Sequence, residues 1–477
     1  MCRGSKICKV LALLAAVAVA AAAAGGSECA SSVDALNTAT LNCSRRHIDV
    51  LPENWPQEIL DVPADQHVLI TFFNNSLTRV TQLPAAPGAR VAVSFKNNTI
   101  RDVDDDAFRN MPNLVYLDLS NNAITGEVLR GEIFQGPYQD GVYDSIALET
   151  LNLGYNQIHS LDRNLFEYTP NLTRLYLNNN PIEILDHVTI LALATATNLE
   201  VLDLAYTDID SIPLDAFRGL ERLQQVDLSG NKFLEVPESL SLVGASLEYL
   251  NFNNNPIVEL NDDSFIGLTN LKELEVGENE YLEEVKRSTF SPLKSLRVLH
   301  LCHNRKLSYI SHNAFRGLKD AWTLKEVYLD DNNLSELPSD LMPWSKLDTI
   351  GMTGNNWLCN CDLANIVIAQ GAARKFKTGD IPYCVAPMRW SGAYITNVTL
   401  DYCPTFDNTF TPKQKKSFGI RDLKPKHVLW SIFGVAMIVL VGMVIGLLVN
   451  TIKAFYKKTF RSQPIHYINI NDDSSFA

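Results

Sequence analysis

Between Ile70 and Leu358 apolar and polar positions alternate in short bursts. Two clear copies are Leu117-Asp118-Leu119-Ser120-Asn121-Asn122-Ala123-Ile124 and Leu175-Tyr176-Leu177-Asn178-Asn179-Asn180-Pro181-Ile182, and the burst returns about twelve times. The slot that closes each burst holds Asn75, Asn98, Asn122, Asn156, Asn180, Asn231, Asn255, Asn279, Asn304, Asn332 and Asn355, with Thr207 there once. Most of these are 23 to 25 residues apart. Aliphatic side chains two residues apart point to one face of a strand, so each burst predicts a half-buried strand. A fixed period of this length predicts stacked coils whose strands pair into one parallel sheet. The asparagine turns inward, where its amide both donates and accepts and satisfies backbone groups that the tight turn leaves without partners. Thr207 keeps only a hydroxyl, so a looser coil is expected there.

The other half of each period carries an apolar residue, often Pro, and then Phe108, Phe166, Phe217, Phe265, Phe290 or Phe315. Phenylalanines at one place in successive coils are expected to stack as a core spine along the convex side. Stacked coils expose apolar ends and need caps. Cys29 and Cys43 with Ile48, Val50, Leu51 and Pro52 precede the array, and Trp357, Cys359, Cys361, Cys384, Pro387, Gly392 and Cys403 follow it. Repeat, caps and cysteine spacing together resemble extracellular leucine-rich-repeat proteins of the Toll-like, Slit and Nogo-receptor families. That resemblance implies an α/β fold, a leucine-rich-repeat solenoid shaped as a horseshoe with a concave parallel sheet. It also implies the disulfides Cys359–Cys384 and Cys361–Cys403, with Cys29–Cys43 in front. The chain departs from those families in having no immunoglobulin or fibronectin module after the C-terminal cap. The plant-type L-x-G-x-I-P repeat is also absent.

Two apolar runs set the expected topology. Residues 1–26 carry Arg3, Lys6 and Lys9, an alanine-rich apolar stretch and small residues suited to cleavage, the pattern of a secretory signal peptide. Residues 428–449 are 22 residues without a charge, long enough to span a bilayer as one helix. The expected order is therefore N-terminal cap 27–66, repeat array 67–358, C-terminal cap 359–403, juxtamembrane linker 404–427, transmembrane helix 428–449 and cytoplasmic tail 450–477. The order implies a type I single-pass plasma-membrane protein with its N-terminus outside. The basic residues flanking the helix do not favour that orientation, which rests on the signal peptide. Gly442 and Gly446 form a G-x-x-x-G suited to close contact between two copies. In the tail, Tyr467-Ile468-Asn469-Ile470 matches a tyrosine-based sorting signal, read from Tyr467 and Ile470, and a 28-residue tail holds no kinase or Toll-type signalling domain.

Charge narrows the partners. The net charge is −13, and residues 27–427 hold 34 basic against 52 acidic residues, a net −18. Nucleic acid is excluded as a natural ligand, whereas a basic protein surface or calcium is compatible. Residues alternating with the buried leucines line the concave face, among them Tyr176, Asp203, Tyr206, Asp227, Tyr249, Glu275, Tyr328 and Asp330. Rigid tyrosines among acids predict a face that binds a protein.

Seven cysteines remain after residue 26, and the spacing leaves Cys302 inside the array as the unpaired thiol. His300, Cys302 and His303 beside acids of neighbouring strands have zinc-ligand chemistry without assured convergence, so neither a metal nor a cofactor is expected. The interval Asn122–Asn156 is about ten residues longer than the others, and its surplus around residues 126–141 should protrude as a loop. Sequons stand at Asn42, Asn74, Asn97, Asn171, Asn333 and Asn397. Glycans at Asn74 and Asn97 would cover the N-terminal part of the concave face and push binding toward its centre or C-terminal half.

No G-x-S-x-G, H-E-x-x-H, Walker or kinase signature occurs, so no catalytic residue is expected. The leading expectation is a surface receptor, co-receptor or adhesion molecule whose array binds a protein ligand or receptor subunit. The alternative is a structural scaffold of a surface complex or cell coat.

Overall fold

A computed structural model describes residues 29–33, 38–85, 88–318, 321–377 and 380–398. The signal peptide, Cys403, the apolar run 428–449 with Gly442 and Gly446, and the tail with Tyr467 and Ile470 lie outside the described residues. Among the described residues no helix is long and apolar enough to cross a membrane.

One sheet of fourteen strands runs through the array. Ala30–Val33 lies antiparallel on Thr38–Asn42, and from there every neighbour is parallel and follows in chain order. The strands are short because only the L-x-L segment of each period is extended. Their central aliphatics stand in register from Leu117 through Leu151, Leu175, Leu202, Val226, Leu250, Leu274, Leu299 and Val327 to Ile350. All are buried, so one apolar column fills the interior of the coils.

The asparagine ladder takes the predicted form. Asn180 Nδ2 donates to the Leu153 and Leu177 carbonyls at 2.9 Å each, and its Oδ1 accepts from the Ile158 N–H at 3.0 Å. One side chain thereby ties two successive coils to each other. The rung weakens at two places. Thr207 Oγ1 lies 2.7 Å from the Leu204 carbonyl and 3.0 Å from Asn231 Oδ1, but a hydroxyl has one hydrogen and makes no bridge to the preceding coil. Asn279 Oδ1 accepts from the Asn255 N–H at 2.8 Å, while its buried Nδ2 has no partner. Thr207→Asn is expected to restore the missing bridge to the Leu177 carbonyl and raise stability by about 1 kcal/mol, read as a higher urea midpoint.

The phenylalanine spine is present in segments. Phe108 stacks on Phe134 at 6.1 Å between centroids, and Phe265, Phe290 and Phe315 form a continuous stack at 6.1 and 4.8 Å. Between these segments Phe166 and Phe217 are buried as expected, and helix His187–Thr195, which lies between them in the chain, buries Ile190 and Leu193. Asp186 caps that helix by accepting from the Thr189 N–H at 2.7 Å. The long interval is a structured element and not a plain loop. A 3-10 turn Gly131–Phe134 leads into a hairpin of Gln135–Gln139 and Val142–Ser145, where Tyr138 meets Tyr143 at 4.9 Å. The Arg109 guanidinium lies over the Tyr143 ring at 5.1 Å, anchoring the hairpin to the preceding coil.

Both ends carry the cap disulfides that the resemblance implied. Cys29 is bonded to Cys43 and Cys359 to Cys384. Cys361 is also disulfide-bonded, while its expected partner Cys403 lies outside the described residues. Trp357 is fully buried beneath the C-terminal cap and donates through Nε1 to the Met352 carbonyl at 2.7 Å. Cys302 departs from its expected state: it is disulfide-bonded, not an unpaired thiol, and only 1% exposed. Its side chain is tucked in just after the inward-facing Leu301, so no accessible sulfur is left for an intermolecular bridge.

Candidate functional site

The parallel register stacks the residue that follows each central aliphatic into one column across the open face of the sheet. The column runs Asp118, Asn152, Tyr176, Asp203, Asp227, Asn251, Glu275, His300, Tyr328 and Gly351. Adjacent members lie one strand spacing apart, about 4.8 Å, so polar side chains here must bond to one another or remain unsatisfied. Most bond. Asp227 Oδ1 accepts from the Ser229 N–H and hydroxyl at 2.9 and 2.6 Å, and its Oδ2 accepts from Asn251 Nδ2 at 2.9 Å. Glu275 accepts from the Tyr249 hydroxyl at 2.9 Å and from Asn253 Nδ2 at 2.7 Å.

The carboxylates nonetheless sit in an unfavourable field. Burial, reinforced by the neighbouring Asp227 charge, pushes the Asp203 carboxyl up to about 7. Burial also raises Asp118, Asp227 and Glu275, against the hydrogen bonds that pull each of them down. Arg79, Arg90, Arg130, Lys232, Lys272 and Lys286 form their ion pairs with carboxylates outside this column. Lys96 pulls Asp118 down and His300 pulls Glu275 down, so the most strongly desolvated acid of the face is the central pair Asp203 and Asp227.

The expected contact residues separate into two groups. Tyr176 and Tyr249 are 5% exposed and pack with Val201, so they belong to the foundation of the face and not to its outer surface. Asp203, Asp227 and Glu275 are buried beside them. Tyr328 and Asp330 are half-buried; Tyr328 donates to Glu326 at 2.7 Å, and Asp330 Oδ1 accepts from the Thr353 N–H and hydroxyl at 2.8 Å each. Tyr206 stands outside at 50% exposure, joined by Tyr155 at 55%.

Tyr155 and Tyr206 share a backbone position, the residue just before the ladder asparagine or Thr207, with φ of 57° and 56°. Residues in left-handed conformation turn their side chains onto the rim where the sheet ends. Tyr206 lies flat over the next coil because Gly230 occupies the equivalent slot; a Cβ built there would stand 2.4 Å from the tyrosine ring. The periodicity marks this slot, but only the backbone conformation shows that it is the exposed one. The same slot holds Asn74, Asn97 and Asn121, whose side chains are linked in series, Asn97 Nδ2 to Asn74 Oδ1 at 2.6 Å and Asn121 Nδ2 to Asn97 Oδ1. The sequon residues Asn171, Asn333 and Asn397 are exposed, whereas Asn42 ends a strand and accepts from the Ser44 N–H at 3.0 Å.

The three residues weighed as a metal set do not converge. Cys302 is in a disulfide, and His303 turns to Asp331 with Nδ1 at 3.3 Å from its carboxylate. His300 instead faces back across the sheet to the strand Glu273–Glu275.

The repeats match known proteins. Residues 93–136, 183–233 and 269–325 match the family described as Leucine rich repeat, and residues 146–189 match the one described as Leucine Rich repeats (2 copies). The chain is 26% identical to Tsukushi of Gallus gallus over 255 residues, which is 48% of this chain and 64% of that protein. It is 25% identical to lumican of Bos taurus over 286 residues, 58% of this chain and 76% of lumican. Among solved structures it resembles a chain of the octameric complex of latrophilin 3, Unc5D and FLRT2, in which FLRT2 is present as its leucine-rich-repeat part. That likeness has a TM-score of 0.54 at 18% identity, with 78% of this chain and 99% of the other covered. At this identity it supports the fold.

Proposed function

We propose that this chain, which belongs to the extracellular leucine-rich-repeat proteins and is not an enzyme, binds a basic protein partner at the cell surface. The observation that carries this reading is the acid column with its exposed tyrosine rim. Desolvated carboxylates, Asp203 and Asp227 above all, raise the free energy of the unbound face, and a lysine- or arginine-bearing surface would relieve it. Tyr155 and Tyr206 supply rigid, amphipathic contact area beside that charge. Glycans at Asn74 and Asn97 would keep the N-terminal coils clear of the partner, which fits a contact centred on the middle coils. A receptor, co-receptor or adhesion role follows from placing this face outside the cell. Anchoring as a single-pass type I protein is supported by the apolar run 428–449 alone, and contact between copies by Gly442 and Gly446.

Two measurements test the reading. Deleting residues 428–449 is expected to move the protein from the cell surface into the medium; retention on washed cells would refute the anchor. Proximity labelling on intact cells should recover a basic extracellular protein. Tyr155→Ala combined with Tyr206→Ala should cut its capture roughly tenfold or more with an unchanged melting temperature, since each exposed tyrosine contributes about 1–2 kcal/mol. Undiminished capture would remove the rim from the site, and a partner shared with acid-free flanks of the array would favour the scaffold.

A further inference from the structure

We propose that Glu273, Glu275 and His300 form a site for one divalent metal ion of the zinc class on the open face of the sheet, with a fourth position left open to the groove. Glu273 and Glu275 flank the inward-facing Leu274, so both project to the same side, and the register sets His300 directly opposite Glu275. One ligand atom from each of the three lies within 4.8 Å of the other two. A tetrahedral zinc with bonds of about 2.0–2.1 Å holds its ligand atoms about 3.3 Å apart, so small rotamer adjustments close the set.

The His300 ring presents Nε2 to the acids. Its Nε2 lies 3.8 Å from Glu273 Oε1, beyond hydrogen-bond reach but close to the span of two metal–ligand bonds. Its Nδ1 is buried and has no hydrogen-bond partner. With Nδ1 shielded from other partners, Nε2 is the nitrogen that faces the carboxylates and would coordinate the ion. The ring is already fixed, stacked on Tyr328 at 4.7 Å with planes 4° apart. Glu275 is likewise oriented, by the Tyr249 hydroxyl and Asn253. One nitrogen and two carboxylate oxygens select a transition metal over calcium, which takes six to eight oxygens. The ion would tie the strand Glu273–Glu275 to Val298–His300, next to the coil whose Asn279 amide lacks its ladder bond.

The test uses the full-length chain in detergent. Zinc titrated in a calorimeter is expected to bind at one equivalent, and calcium in excess is expected not to displace it. Cobalt taken up in place of zinc should give the absorption of a tetrahedral site with nitrogen and oxygen ligands. Glu275→Gln and His300→Gln should each weaken zinc binding at least 100-fold. Tyr249→Phe, which removes only the orienting hydroxyl, should weaken it about 10-fold while leaving the fold intact. No stoichiometric uptake by the wild type, thiolate absorption from cobalt, or equal binding by the folded variants would each overturn the site.

Discussion

The array is expected to lose stability as pH rises from 5 to 7.5, and Asp203→Asn is expected to remove most of that loss. In the folded chain Asp203 titrates at about 7, whereas in the unfolded chain it titrates near 3.9. Between those values the folded state holds the proton and the unfolded state does not. Stability from this group is therefore complete below about pH 4 and is lost as pH rises through 7. The linkage amounts to on the order of 2–4 kcal/mol, and the raised Asp118, Asp227 and Glu275 act in the same direction. Glu259 and Asp186, held below the usual range by Lys286 and by the helix cap, act the opposite way and lose their contribution in acid. Comparing wild type with the variant isolates Asp203. An asparagine still accepts from the Ala205 N–H, which Asp203 Oδ1 does at 3.0 Å. Urea denaturation at pH 4 should find the two proteins nearly equal, and the variant should gain progressively on the wild type up to pH 7.5. A difference that does not change with pH would show that the acid column carries no such cost.

Phe290→Ala is expected to destabilise the array by about 4 kcal/mol, the range for removing a fully buried aromatic ring from a core. Phe290 is the middle member of a three-ring stack, with Phe265 on one side and Phe315 on the other. Its loss opens a cavity between coils and breaks two ring contacts at once, each of which adds about 0.5–1.5 kcal/mol. Because coils in an array contact only their neighbours, the damage falls on one interface. Urea unfolding should then separate into two transitions, with the C-terminal coils melting first. A single unshifted transition would mean that the spine does not couple the coils. Phe290→Leu, which refills much of the volume, should cost less than half as much.

How far the sequence could be read depended on where each contact partner lies along the chain. The strands, most of the ladder and the spine's segments follow from spacings within one period, and Leu117, Asn180 and Phe290 stand as expected from them. The state of the concave residues depends on neighbours about 24 positions away, in the coils above and below. Alternation places Tyr176, Tyr249 and Tyr206 on one face, yet Tyr176 and Tyr249 are covered by adjacent coils while Tyr206 escapes over Gly230. The same limit applies to the metal-type cluster. Sequence proximity groups His300 with Cys302 and His303, whereas the register pairs it with Glu275. The hairpin in the long interval is legible as surplus length, while its seat on the preceding coil, where Arg109 lies over Tyr143, joins residues 34 positions apart.

The two lapses in the asparagine ladder have a mechanical meaning. Tension applied along the stacking direction runs through the bonds that join coil to coil. Thr207 lacks the cross-coil bond that Asn180 makes to the Leu153 carbonyl, and Asn279 leaves its amide unused. Under tension these two places would yield before the rest, dividing the solenoid into three stiff segments joined by two compliant seams. Such a chain would lengthen in steps, with the tyrosine rim beside the first seam and the histidine–carboxylate cluster beside the second.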